Sequence, residues 1–309
     1  MKNNILGAAL LACSSWACAA SFSYSGSAVP IYPGLGDGLP GPPAEAPIPV
    51  SGLTQPVSKV TLSIDGDSCS SDEGSTTVGI DHPSVGDLNI LLRTPEGNIV
   101  LVFTRAGTTG NNFCQVVLDD SAGPSIQSIS SSQAPFTGSY KPYLPLSAFV
   151  GEPANGTWAL VVQHFGRGEF PVGSIRAWTI NITEMQAQAI TFTSAAPVGA
   201  VVGGSPYAVT ATGGGSNNPV VFSIDSSASA VCSISGSDVT FLAPGACVIN
   251  ANQAGNDEYS AAPQVQQTFQ VAAVPVPKPI TTVPTLGEWS LILLAAMAGA
   301  LGLRARRKA

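Results

Sequence analysis

Thr157-Trp-Ala-Leu-Val-Val-Gln163, followed closely by Ile175-Arg-Ala-Trp-Thr-Ile-Asn181, is the stretch on which the fold of this chain turns. Both runs alternate as strands do, since successive side chains of an extended backbone point to opposite faces. The alternation puts Trp158 and Trp178 where two packed sheets would bury them, which makes them core residues before binding residues. Outward from there, strand-like runs recur at Val57–Ile64, Thr76–Ile80, Asp87–Arg93, Ile99–Phe103 and Phe113–Leu118. Turn residues separate them: Gly86, Pro95-Glu-Gly-Asn98, Gly107–Gly110 and Gly166-Arg-Gly168. Short strands between such turns predict an antiparallel sandwich, here spanning 48–184 with its folded part starting near Ile48.

A second block, residues 188–271, repeats the pattern with runs at Ala189–Thr193, Tyr207–Ala211, Val220–Ile224, Val239–Phe241, Cys247–Ala251 and Thr268–Val271. It predicts a second, smaller sandwich. Composition agrees with an all-β reading: only 10% of residues are charged, so exposed helical faces are poorly supported. The formal net charge of −7 argues against nucleic acid as a partner. Residues 21–47 form a Pro/Gly-rich leader, and the Pro- and Gly-rich stretch 28–49 reads as a linker or a leading edge strand, because Pro cannot donate to a central ladder. Residues 272–282 read as a stiff, extended Pro-rich stalk.

Both ends carry targeting features. Lys2, the apolar run Ile5–Ala12 and the small residues Cys18, Ala19 and Ala20 have the anatomy of a secretory signal peptide over 1–20, with cleavage before Ser21. A competing reading makes Leu10-Leu-Ala-Cys13 a lipoprotein site, with Cys13 lipidated. At 283–309, Val283-Pro-Thr-Leu-Gly-Glu-Trp289 precedes an apolar run to Leu303 and the basic cluster Arg304, Arg306, Arg307 and Lys308. The four positive charges resist translocation and hold the tail on the cytoplasmic side. The run is short for a permanent span, so a temporary transmembrane helix, cleaved near Pro284–Glu288, is the expectation.

Removing the leader leaves Cys69, Cys114, Cys232 and Cys247. An even count in an exported chain, with no CxxC spacing, reads as disulfides. Each block holds two cysteines, so Cys69 is expected to pair with Cys114 and Cys232 with Cys247.

Several ordered motifs resemble a known family. His82-Pro-Ser-Val-Gly-Asp-Leu-Asn-Ile-Leu-Leu-Arg-Thr-Pro-Glu-Gly-Asn98, Asn111-Asn-Phe-Cys-Gln115, Leu118-Asp-Asp-Ser-Ala122, Asn155-Gly-Thr-Trp-Ala-Leu160 and Gly173-Ser-Ile-Arg-Ala-Trp-Thr-Ile180 are similar to the P domain, or Homo B domain, of subtilisin-like proprotein convertases. The resemblance implies an eight-stranded jelly roll that stabilises a separate catalytic domain and is not itself catalytic. Residues 188–271 resemble bacterial Ig-like repeats through Cys232-Ser-Ile-Ser-Gly236 and Pro244-Gly-Ala-Cys-Val-Ile-Asn-Ala-Asn-Gln-Ala-Gly-Asn256. The tail, through Val283, Pro284, Thr285, Leu286, Glu288, Trp289 and the basic cluster, resembles the IPTL-type sorting signal of Gram-negative bacteria, which implies an exosortase-like membrane protease as partner.

Chemistry is sparse. No Gly-Thr-Ser-x-Ala or Gly-x-Ser-x-Gly element surrounds any serine, and residues 21–47 are too few for a subtilisin-type domain, so no catalytic residue is assigned. His82 and His164 sit at strand ends and read as surface or turn residues. Asp87, Asp119 and Asp120 are candidate calcium ligands, the last two because the resemblance aligns them with acidic positions that bind calcium in some relatives. The competing reading has paired aspartates capping backbone N–H groups. The chain as a whole reads as an exported, surface-displayed, non-catalytic adhesion or accessory protein with an unknown extracellular ligand. The rival reading is a component of a subtilisin-like serine endopeptidase system.

Overall fold

Strict alternation of buried and exposed residues builds the first unit. In the computed structural model, which describes residues 19–24, 26–167, 172–275 and 287–306, twelve strands occupy the segment from Ala19 to Glu184. They are β1 (Ala19–Ser23), β2 (Val29–Ile31), β3 (Ala44–Val50), β4 (Val57–Ile64), β5 (Ile80–Asp81), β6 (Leu88–Arg93), β7 (Ile99–Thr104), β8 (Phe113–Leu118), β9 (Phe136–Tyr140), β10 (Gly156–His164), β11 (Gly173–Ile175) and β12 (Trp178–Glu184). One sheet runs β1-β12-β4-β8-β5-β11-β2, with β9 also on β8, and the other runs β3-β10-β6-β7. Pairing is antiparallel apart from β8 with β9.

The inner faces of these sheets meet in one core that includes Trp158, Trp178, Phe103, Phe113, Phe136 and Phe149. Both tryptophans are fully buried, as expected. Phe149 meets Trp158 edge to face at 5.5 Å between centroids, and the indole Nε1–H of Trp158 donates to the Ala154 carbonyl at 2.9 Å. That partner removes the desolvation cost that a buried indole N–H would otherwise carry.

The fold begins earlier than the sequence reading placed it. Of the two readings of this region, the leading edge strand holds: residues 21–47 supply most of β1, all of β2 and half of β3, each at the end of a sheet. In β3, Ala44, Ala46, Ile48 and Val50 are buried while Glu45, Pro47 and Pro49 face out. This strand pairs only with β10 and lies at the sheet edge, where a missing N–H breaks no ladder bond. The expected run Ile175–Asn181 divides between β11 and β12, and β9 was not anticipated.

The second block forms its own sheets. Ala200–Val201, Val265–Ala272, Gly245–Gln253 and Val220–Ile224 make a four-stranded sheet, and Tyr207–Ala208, Asp238–Phe241 and Cys232–Ser235 make a three-stranded one. A separate core of Val209, Val239, Cys247, Ile249, Phe269 and Val271 lies with them. Both disulfides form as expected, Cys69–Cys114 across 45 residues and Cys232–Cys247 across 15.

A helix forms over Glu288–Arg306. No helix among the described residues is long and apolar enough to cross a membrane, so the expected transmembrane character is corrected. The reason is length: the apolar stretch Trp289–Leu303 rises only about 22 Å at 1.5 Å per residue, against a hydrocarbon core of about 30 Å. The leader 1–18, the motif residues Val283, Pro284, Thr285 and Leu286, and the basic Arg307 and Lys308 lie outside the described residues.

Candidate functional site

The three aspartates expected to share calcium do not come together. Asp87 ends a short 3-10 turn, Val85–Asp87, that is bonded to the loop before β8 through Val85 N–H to Gly110 O and Gly86 N–H to Thr108 O, both 3.0 Å. Asp119 and Asp120 follow the other end of β8, whose six residues span about 20 Å at the usual strand rise.

Their carboxylate oxygens are also occupied. Asp119 Oδ1 accepts the backbone and side chain of Ser121, both at 2.8 Å, and Oδ2 faces Lys59 Nζ at 2.9 Å. Burial works to raise this carboxyl, but the bonds from Lys59 and Ser121 hold it below the ordinary carboxylate range. Asp120 caps the 3-10 turn Leu146–Phe149, accepting Leu146 N–H and Ser147 N–H on its two oxygens at 2.8 Å each. The capping reading therefore describes this pair, and the residues do not fit a shared calcium shell. Among the described residues, no group of three or more His, Cys, Asp or Glu could hold a metal ion. Asp119 and Asp120 line a groove with Lys59, Ser147, Asp257 and Glu258.

We expect Asp120→Ala to cost about 1–3 kcal/mol, because it strands two backbone donors. Chemical denaturation should give the same loss in chelator and in millimolar calcium; a loss confined to the calcium sample would restore the metal role.

The second correction concerns the histidines. His82 is fully buried and His164 is 4% exposed, and their ring centroids lie 5.0 Å apart inside one end of the sandwich. The backbone at His82 is held by Asn112, whose side-chain oxygen accepts the His82 backbone N–H at 2.8 Å. The amide nitrogen of Asn112 donates to the carbonyls of Ser70 and Asp72, in a loop tethered by Cys69–Cys114. His164 follows the core-facing positions Trp158, Leu160 and Val162 of β10 and so points into the sandwich.

Glycines make room for both rings. A Cβ on Gly166 would sit 2.8 Å from His164 Cε1 and 3.1 Å from Asp87 Oδ2, and one on Gly173 would sit 3.0 Å from His82 Cδ2.

Hydrogen bonding sets the protonation of both rings. His82 Nδ1 accepts Ser84 N–H at 3.0 Å, and His164 Nδ1 accepts Gly34 N–H at 3.2 Å. An imidazole accepting at Nδ1 is neutral and carries its proton on Nε2. His82 Nε2 is buried with no partner among the described residues, and His164 Nε2 lies 4.0 Å from Asp87 Oδ2. With Nδ1 engaged and Nε2 protonated, neither ring offers a lone pair for a metal or for proton abstraction. Burial, reinforced by His164, pushes the His82 pKa down to about 3; burial also lowers that of His164, against the pull of Asp87. The sequence signal for this site was present but weak: Gly34, Gly41 and Gly166, read as linker or turn residues, are what His164 contacts.

Comparison with known proteins agrees with the motifs. The family model of the proprotein convertase P-domain matches residues 72–182, and that of the IPTL-CTERM motif matches 281–308. Among solved structures, the serine protease of Aeromonas sobria shows 16% identity over 54% of this chain and 26% of its own, with a TM-score of 0.30. The complex of the Aeromonas sobria serine protease with the chaperone ORF2 shows 18% identity, with the same coverage and a TM-score of 0.31. The chain thus spans about a quarter of the length of the structures it matches. No curated protein sequence matches it. Matched on both counts, the chain carries a proprotein convertase P-domain and, after it, an IPTL-CTERM sorting motif.

Proposed function

We propose that this is an exported, surface-sorted protein of a Gram-negative envelope whose P-domain acts as a non-catalytic binding or accessory module. The observation that carries the reading is the pairing of a P-domain at 72–182 with an IPTL-CTERM motif at 281–308. An address for sorting and a protease-associated domain in one chain point to display at the surface. In this reading the 188–271 block is an Ig-like spacer, and the helix Glu288–Arg306 engages the membrane only until an exosortase-like protease removes it. The side-chain chemistry of the P-domain supports a structural role for its polar groups. Asp120 caps a turn, Asp119 pairs with Lys59, and both histidines accept backbone N–H groups.

The second reading, a component of a subtilisin-like serine endopeptidase system, is favoured by the P-domain alone. Treatment of the purified protein with a fluorophosphonate serine probe and casein separates the two. We expect neither labelling nor cleavage, and labelling of any serine overturns the non-catalytic reading. Mass spectrometry of the surface protein should find a C-terminus near Pro284–Glu288; an intact Ala309 would remove the processing step.

A further inference from the structure

We infer that His82 and His164 form an acid-operated latch, which holds segment 33–41 on the end of the sandwich while both rings are neutral and loosens it when they are protonated. The geometry carries the argument. The segment lies over this end on few bonds: Gly34 N–H to Gly166 O at 2.7 Å and to His164 Nδ1 at 3.2 Å, and Gly41 N–H to His164 O at 2.9 Å. Its side chains add little, since Leu35 and Leu39 are exposed and the Asp37–Arg167 pair is almost fully in solvent.

Protonation of His164 places a hydrogen on Nδ1, pointing at the Gly34 N–H, and turns an attraction into a repulsion. Protonation of His82 does the same to Ser84 N–H. With both charged, two cations would stand with ring centroids 5.0 Å apart in a site closed to water. Among the described residues, the charged groups around the pair are few. Asp87, 4.0 Å from His164 Nε2, can receive the new charge and so draws that ring away from Gly34. Arg167 is paired with Asp37 on the segment, and Arg105 lies over the Phe165 ring at 5.4 Å. Asp81, next to His82 in the chain, is engaged by Gly74 N–H and Arg176. Among the described residues Asp87 pairs with His164 and Asp81 is already engaged, so acid favours an opening that lets water reach the rings.

Hydrogen exchange on the full chain, corrected for intrinsic rates, tests this. Between pH 7.5 and pH 5, Gly34 and Gly41 should lose protection by about 30-fold if opening restores His82 to its ordinary pKa, through an opening that leaves them less protected than the β10 and β12 amides at either pH. In His164→Asn with His82→Asn, a side-chain oxygen replaces each Nδ1 acceptor without titrating, so the pH dependence should vanish. An unchanged segment in the wild type, the same loss in the double variant, or protection at Gly34 and Gly41 equal to that of the β10 and β12 amides would each overturn the latch. Should the variants fail to fold, ¹⁵N imidazole shifts of the wild type decide the matter. Both rings should report Nε2–H at neutral pH, and Nδ1–H on both would refute it.

Discussion

Replacing Cys69 and Cys114 together by Ala should cost about 4 kcal/mol of unfolding free energy, and replacing Cys232 and Cys247 about 3 kcal/mol. The difference comes from loop length: the first bond closes 45 residues and the second 15, and the entropy that a cross-link removes from the unfolded chain grows with the logarithm of that number. The first bond also tethers the loop whose Ser70 and Asp72 carbonyls hold Asn112, and through it His82. Its loss should therefore loosen the histidine end as well as lower global stability. Guanidinium titration of each double variant, with and without reductant on the wild type, measures both numbers. A larger loss from Cys232–Cys247 would contradict the loop-length account.

Between pH 7 and pH 5 the P-domain unit should lose about 2 kcal/mol of stability through His82 alone, and about 4 kcal/mol by pH 3. The sign follows from the direction of the shift. Burial lowers the folded pKa from its ordinary value of 6.5 to about 3, so as pH falls through 6.5 the unfolded chain takes up a proton that the folded chain refuses. The stabilisation is complete above 6.5 and is lost progressively down to about 3. His164, shifted in the same direction, adds to the loss, with Asp87 working against it. Denaturant midpoints across this range should vary less in His82→Asn, in which Ser84 N–H keeps an acceptor and only the contribution of His164 remains. A wild type equally stable at pH 7 and pH 5 would mean that His82 is hydrated in the native state.

The same residues show where reading a sequence succeeds and where it stops. Val57–Ile64 and Phe113–Leu118 were bounded correctly, and Trp158 and Trp178 were placed in the core, because alternation is a property of neighbouring residues. The disulfides were legible for a related reason: each pair closes within one block. The Asp119-Asp120 pair was legible only as a choice between calcium and capping, since both begin from adjacent carboxylates in a turn. Only the folded chain brings Leu146 and Ser147 to Asp120 across 26 and 27 residues.

Linker and leading edge strand were both open for the Pro-rich run, because such a run has no ladder of its own, and the folded chain makes edge strands of it. Its strands exist through partners more than a hundred residues away, Ala46 on Leu160 and Phe22 on Ile180. The histidines were misread for the same physical cause. Burial is set by what packs over a side chain, and over His164 that is Gly34, 130 positions earlier. Local periodicity and spacing thus carried the strands, the core aromatics, the disulfides and the sorting tail, because those depend on near neighbours. The neutral histidine pair, the capped aspartates and the early start of the sandwich arise from long-range pairing and from exclusion of water, neither of which leaves a periodic trace in the chain.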